Sequence, residues 1–125
     1  MKVTCIENRL TSNQKLKLGI ATENDFKYPF EIGETYTVLG ITCQMGQTIL
    51  EMPYFYIFPA PMCLFNIVDD RLSSYWKLRK RSEHGISFWP EEFYQEYFHD
   101  DLSDGVPEVV DIYKQVIKKL EEEFA

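Results

Sequence analysis

The chain has 125 residues, 45% of them hydrophobic and 15% aromatic, with a formal net charge of −7 at pH 7. So apolar a composition excludes a disordered segment, and the length fits one domain able to bury a core of its own. The negative charge opposes docking on anionic lipid or on nucleic acid by bulk attraction.

The charge is unevenly placed. Residues 1–88 carry ten Lys/Arg against nine Asp/Glu, whereas residues 89–125 carry three against eleven. Nearly the whole excess lies in the last third, in a stretch that also holds Trp89, Phe93, Tyr94, Tyr97 and Phe98. Aromatic residues set in a field of one sign read as a surface made to meet something basic. The three cysteines, Cys5, Cys43 and Cys63, are odd in number, widely spaced and outside any C-x-x-C pair. They are expected as reduced core thiols, which favours a reducing, cytoplasmic setting. Met1–Glu7 has no apolar signal region, and the longest apolar run, near Met52–Leu64, is broken by prolines and too short to span a bilayer.

In chain order, Val3–Glu7 reads as a strand. Thr11-Ser12-Asn13-Gln14 resembles a capping box opening a short helix, which Gly19 would end. After a turn at Glu31–Glu34, Thr35–Cys43 forms the clearest strand, and Gln44–Gln47 supplies the return. Thr48–Phe58 continues as a strand that should bulge or run along a sheet edge at Pro53, and Pro59-Ala60-Pro61 breaks it. Within it, Tyr54-Phe55-Tyr56-Ile57-Phe58 places bulky residues on both faces, so one face is expected in the core and the other buried under a helix; an exposed patch there would instead serve a partner or a second copy in a homodimer. Leu64–Val68 is a short apolar strand closed by Asp69 and Asp70.

Tyr75–Arg81 alternates strictly, which predicts Trp76 and Leu78 inward with Tyr75, Lys77, Arg79 and Arg81 outward. A turn at Ser82–Gly85 leads into Ile86–Trp89. Beyond Trp89 the period changes toward 3.6. Pro90, Glu91 and Glu92 suit a helix start, with Phe93, Tyr94, Tyr97 and Phe98 as its aromatic stripe. His99–Val106 reads as a loop, and Pro107 starts a final helix with apolar residues at 109, 110, 113, 116, 117, 120 and 124. Burying that stripe contributes roughly 10 kcal/mol gross, before entropy is counted. The expected class is α+β: one domain, mainly β over 1–89 and mainly α over 90–125, with a barrel-like antiparallel sheet of five to seven strands, a short helix and a docked C-terminal helix.

The first half, through Lys2–Asn8, Ile32–Gly40 and Leu64–Val68, resembles small bacterial and phage proteins that open with a five-stranded barrel of the Src-homology type. The second half, through Tyr75-Trp76 and the run Phe88-Trp89-Pro90-Glu91-Glu92-Phe93-Tyr94-Gln95-Glu96-Tyr97-Phe98-His99-Asp100-Asp101-Leu102-Ser103-Asp104-Gly105-Val106-Pro107, is similar to an uncharacterised bacterial family associated with toxin-immunity proteins. The resemblance implies a non-enzymatic binder of a protein partner, a toxin domain, and brings no catalytic residue and no cofactor. A toxin acting on nucleic acid would be basic, and Glu91, Glu92, Glu96, Asp100, Asp101 and Asp104 would then stand in for phosphates, with Tyr94 or Tyr97 as a buried anchor.

Other chemistries have thinner support. His99, Asp100, Asp101 and Asp104 carry oxygen and imidazole ligands, but their spacing matches neither a calcium loop nor a helical His pair; helix capping by the aspartates accounts for them, and no metal is expected. An enzyme with a site near His99 and Asp101 remains as one alternative. The other is a nucleic-acid module on a small barrel using Tyr75, Lys77, Arg79 and Arg81. Against that module, the basic cluster also suits an exposed strand guarded by charge, or pairing with the acidic tail.

Overall fold

The computed structural model describes residues 1–125. The strands are β1 (Lys2–Cys5), β2 (Thr35–Thr37), β3 (Gly40–Gln44), β4 (Gln47–Met52), β5 (Phe58–Pro61), β6 (Phe65–Asp69), β7 (Trp76–Ser82) and β8 (Gly85–Pro90). Helix α1 (Ser12–Leu18) lies between β1 and β2, and α2 (Phe98–Ser103) and α3 (Pro107–Glu123) follow β8. The class is α+β, with every strand pair antiparallel. The strands divide into a three-stranded sheet, β2-β1-β6, and a five-stranded sheet, β5-β4-β3-β8-β7.

Local chemistry explains much of this path. The Thr11 hydroxyl accepts from the Gln14 N–H at 3.1 Å while the Gln14 side chain accepts from the Thr11 N–H at 2.8 Å, so two orphan donors at the start of α1 are satisfied reciprocally. Between β3 and β4, Met45 and Gly46 both take positive φ, the geometry that matches a two-residue hairpin to the twist of its strands.

The expected strand Thr35–Cys43 is two strands, because Val38 and Leu39 carry the chain from one sheet to the other. These neighbours point into different cores: Val38 lies with Val3, Leu50, Met52 and Trp76, and Leu39 with Trp89, Phe93, Val116 and Leu120. The Trp76 indole N–H donates to the Leu39 carbonyl at 2.9 Å and fixes the crossing. Gly40 follows because a Cβ there would lie 2.9 Å from the Phe88 carbonyl oxygen and from the Trp89 ring. One core thus fills the space between the sheets, and the other lies on the opposite face of the five-stranded sheet beneath α2 and α3. The α3 stripe is buried as its spacing predicts, through Tyr113, Val116, Leu120 and Phe124.

Four expectations are corrected. β4 ends at Met52, and residues 53–57 leave the sheet, so Tyr54, Phe55 and Tyr56 are exposed, Phe55 by 83%, rather than core. Pro59-Ala60-Pro61 is not a break but part of β5, which tolerates two residues without N–H groups because it is an edge strand. Leu78 is 60% exposed rather than inward, because on the edge strand β7 only Trp76, at its start, is packed into the core. Of the cysteines only Cys5 is buried; Cys43 is half-buried and Cys63 exposed.

No helix is long and apolar enough to cross a membrane.

Candidate binding surface

The acidic segment does not form one helix followed by a loop. Glu91–Tyr94 make a single 3-10 turn, the chain breaks at Tyr97, and a second helix, Phe98–Ser103, occupies the start of the expected loop His99–Val106. The break divides the aromatic stripe. Phe93 and Phe98 are buried against Tyr113 and the α3 stripe, their rings stacked 5.4 Å apart. Tyr97 goes the other way: its φ is +63° and the residue is 65% exposed. A non-glycine residue in the left-handed region costs about 1–2 kcal/mol, so the surrounding structure must hold it there.

Tyr94 is held in place rather than presented. Its hydroxyl donates toward the Lys77 carbonyl at 2.7 Å, lies 3.1 Å from the Ser87 carbonyl, and meets the Ser87 hydroxyl at 2.8 Å. Its ring stacks on Trp89 at 4.8 Å. Trp89 in turn donates its indole N–H to Thr42 Oγ1 at 3.0 Å, and the Thr42 hydroxyl donates to Glu51 Oε1 at 2.8 Å. Glu51, only 7% exposed, has its carboxyl raised above the ordinary 4.5 by burial, against the Thr42 hydrogen bond and the nearby Arg81 charge.

The basic strand closes this cluster. The Arg81 guanidinium lies 4.4 Å from the Trp89 ring centre, Arg79 lies 4.6 Å from that of Tyr94, and Lys119 lies 4.5 Å from that of Tyr75. The arginines therefore meet aromatic faces and make no ion pair with the acidic tail. Base stacking needs an open π-face, and a cation already occupies one face of each of these three rings.

The acids separate by environment. Glu92 bonds to Lys119 at 2.9 Å; burial opposes its ionisation, but this bond, a backbone hydrogen bond and the Lys119 charge together outweigh it, and the carboxyl sits below the usual range. Asp101 is half-buried, while Glu91, Glu96, Asp100 and Asp104 are exposed and join no salt bridge. The aspartates do not cap α3 with their side chains: its N-cap is Val106, with Pro107 at the first position where no N–H partner is needed.

Glu96, Tyr97 and Asp100 rim a cleft of about 280 Å³ floored by Trp89, Phe93 and Phe98, with Arg81, Gln95 and His99 in its wall. The His99 ring lies 5.0 Å from Trp89, and burial, then the Arg81 charge, lowers its pKa below 6.5 despite Asp100. No hydrogen bond couples it to Asp101. No group of three His, Cys, Asp or Glu side chains is placed to hold a metal ion. The arrangement offers shape and charge for recognition, with no nucleophile joined to a base.

Of the residues singled out in the sequence, Glu91, Glu96, Tyr97, Asp100 and Asp104 stand free on the surface, whereas Glu92, Tyr94 and Asp101 are engaged or partly covered. Sequence reasoning missed the interior support: Thr42, Glu51 and Ser87 come from strands far along the chain, and no local pattern marks them. Comparison with protein-family models, curated proteins and solved structures found no match to this chain.

Proposed function

We propose that the chain is a non-enzymatic binding protein that engages a basic protein partner through Glu91, Glu96, Tyr97, Asp100 and Asp104, in the manner of an immunity protein neutralising a toxin domain. The observation that carries this reading is Tyr97, a large aromatic residue held in a costly backbone conformation and turned into solvent between acids that lack partners. Strain of this kind persists only where the surrounding structure holds it and clusters at functional sites, and tyrosine is among the residues enriched as interface anchors. The Trp89, Tyr94 and Ser87 network supports the reading by fixing the turn on which Tyr97 is mounted. The toxin assignment rests on the resemblance of Phe88–Pro107.

The experiment is to look for a toxin domain encoded beside the gene, to titrate the purified chain into it, and to follow both complex formation and toxin activity. Stoichiometric suppression supports the proposal. A neighbouring toxin domain that is neither bound nor inhibited at clear excess of this chain would refute it.

A further inference from the structure

β7 is the terminal strand of the five-stranded sheet and is bonded only to β8. It has seven residues, Trp76-Lys77-Leu78-Arg79-Lys80-Arg81-Ser82, of which all but Trp76 are exposed. A strand of this length with a free edge is a template for another strand. Its cations are Lys77, Arg79, Lys80 and Arg81; it carries no acid, and none of the four is in a salt bridge. Arg79 and Arg81 are spread over the Tyr94 and Trp89 rings, so two of the charges are held in place before any partner arrives.

The pairing sorts these side chains. Lys77 is opposite Trp89 and Arg79 opposite Ser87, which places both on the face that carries the aromatic cluster. Leu78 is opposite Phe88 and Lys80 opposite Ile86, on the other face, where Leu78 and Ile86 leave an exposed apolar spot. A strand laid along this edge would meet a cationic row on one face and an apolar contact with a single lysine on the other.

We propose that the free edge of β7 accepts an extended acidic segment of a protein partner as a sixth strand, its acids toward Lys77, Arg79 and Arg81 and its apolar residues toward Leu78. Main-chain hydrogen bonds supply affinity in this mode and the alternating side chains supply selectivity. Charge complementarity selects the occupant. A second copy of β7 would set cation against cation across the new pair, which is destabilising. The two surfaces adjoin at Arg81, which stands in the wall of the cleft beside Glu96 and Asp100; the free edge of β7 and those acids are different groups, so either proposal can fail alone.

The test uses the full chain and a fluorescein-labelled peptide of alternating Glu and Val, about ten residues long so that it spans the strand. Anisotropy titrations compare it with a Lys/Val peptide and with single-stranded oligothymidylate, each against the parent and the K77E/R79E variant, which reverses two charges on the face the acids would meet. Both substituted residues are exposed, and a melting curve checks that the variant folds. The expected result is saturable binding of the Glu/Val peptide alone, slower amide exchange along β7 when it is bound, and affinity at least about tenfold weaker in K77E/R79E, as reversing two charges at one interface produces. Peptide binding unchanged by K77E/R79E would overturn the proposal. So would oligothymidylate binding in place of the peptide, or no binding of any probe at about 100 μM, which would leave the cations as guards of the edge.

Discussion

Replacing Tyr97 with glycine should make this protein more stable and worse at its task. Its φ of +63° costs a residue bearing a Cβ about 1–2 kcal/mol, which glycine avoids. Glycine's additional freedom in the unfolded chain offsets about 0.5–1 kcal/mol, leaving a net gain of about 0.5–1 kcal/mol. For a chain of this size that raises Tm by roughly 2–4 °C. Tyr97→Ala is the control: it removes the same ring but keeps the Cβ, so its Tm should stay within about a degree of the parent. Scanning calorimetry on the three proteins decides the matter. If Y97G melts below the parent, and Y97A falls with it, the ring supports the fold and Tyr97 is not held for presentation.

Glu51 gives a pH-dependent prediction. Its folded pKa lies above the ordinary 4.5, so its contribution to stability is complete below that value and is lost as pH rises through the raised one. E51Q keeps an acceptor for Thr42 and removes the charge; it should melt above the parent at pH 8 and converge with it near pH 4, and a constant offset across that range would contradict the assignment. Leu120, wholly buried against Val116 and Phe93, should cost about 2–5 kcal/mol when cut to alanine, read as a lower urea midpoint. A loss well under 1 kcal/mol would mean that α3 is not anchored there. Phe55 should be the reverse case: being 83% exposed, its change to serine should move stability by less than about 0.5 kcal/mol while reducing binding of a hydrophobic dye. A large destabilisation would show that this ring is packed in solution.

What could be read in advance follows from how far each signal reaches. The α3 stripe, the Thr11–Gln14 capping box and the hairpin turns are local patterns, and the fold keeps all of them. The division of Thr35–Cys43 was hidden because Val38 and Leu39 have the same apolar, strand-forming character, though they enter different cores; only Gly40 hinted at a close approach. Pro59 and Pro61 misled because a proline's effect depends on whether its strand is central or at an edge, which is a property of the sheet. The binding surface was legible in part. Composition located the acids and aromatics between 91 and 104, but the spacing 93, 94, 97, 98 continues a helical period straight through the residue at which the chain breaks. Which of those residues face outward depends on that one left-handed residue and on Ser87, Thr42 and Glu51 beneath it.

The central claim is that exposed acids around Tyr97 meet a basic partner. Its most direct test is calorimetric titration of a toxin domain found beside the gene with the parent and with E96K/D100K, at about 50 and 200 mM salt, where screening of exposed charges differs most usefully. Charge reversal at these two exposed positions should leave the fold intact, weaken binding by at least about tenfold at low salt, and shrink the difference at high salt. Binding by E96K/D100K as tight as the parent's at both salt concentrations would contradict the account.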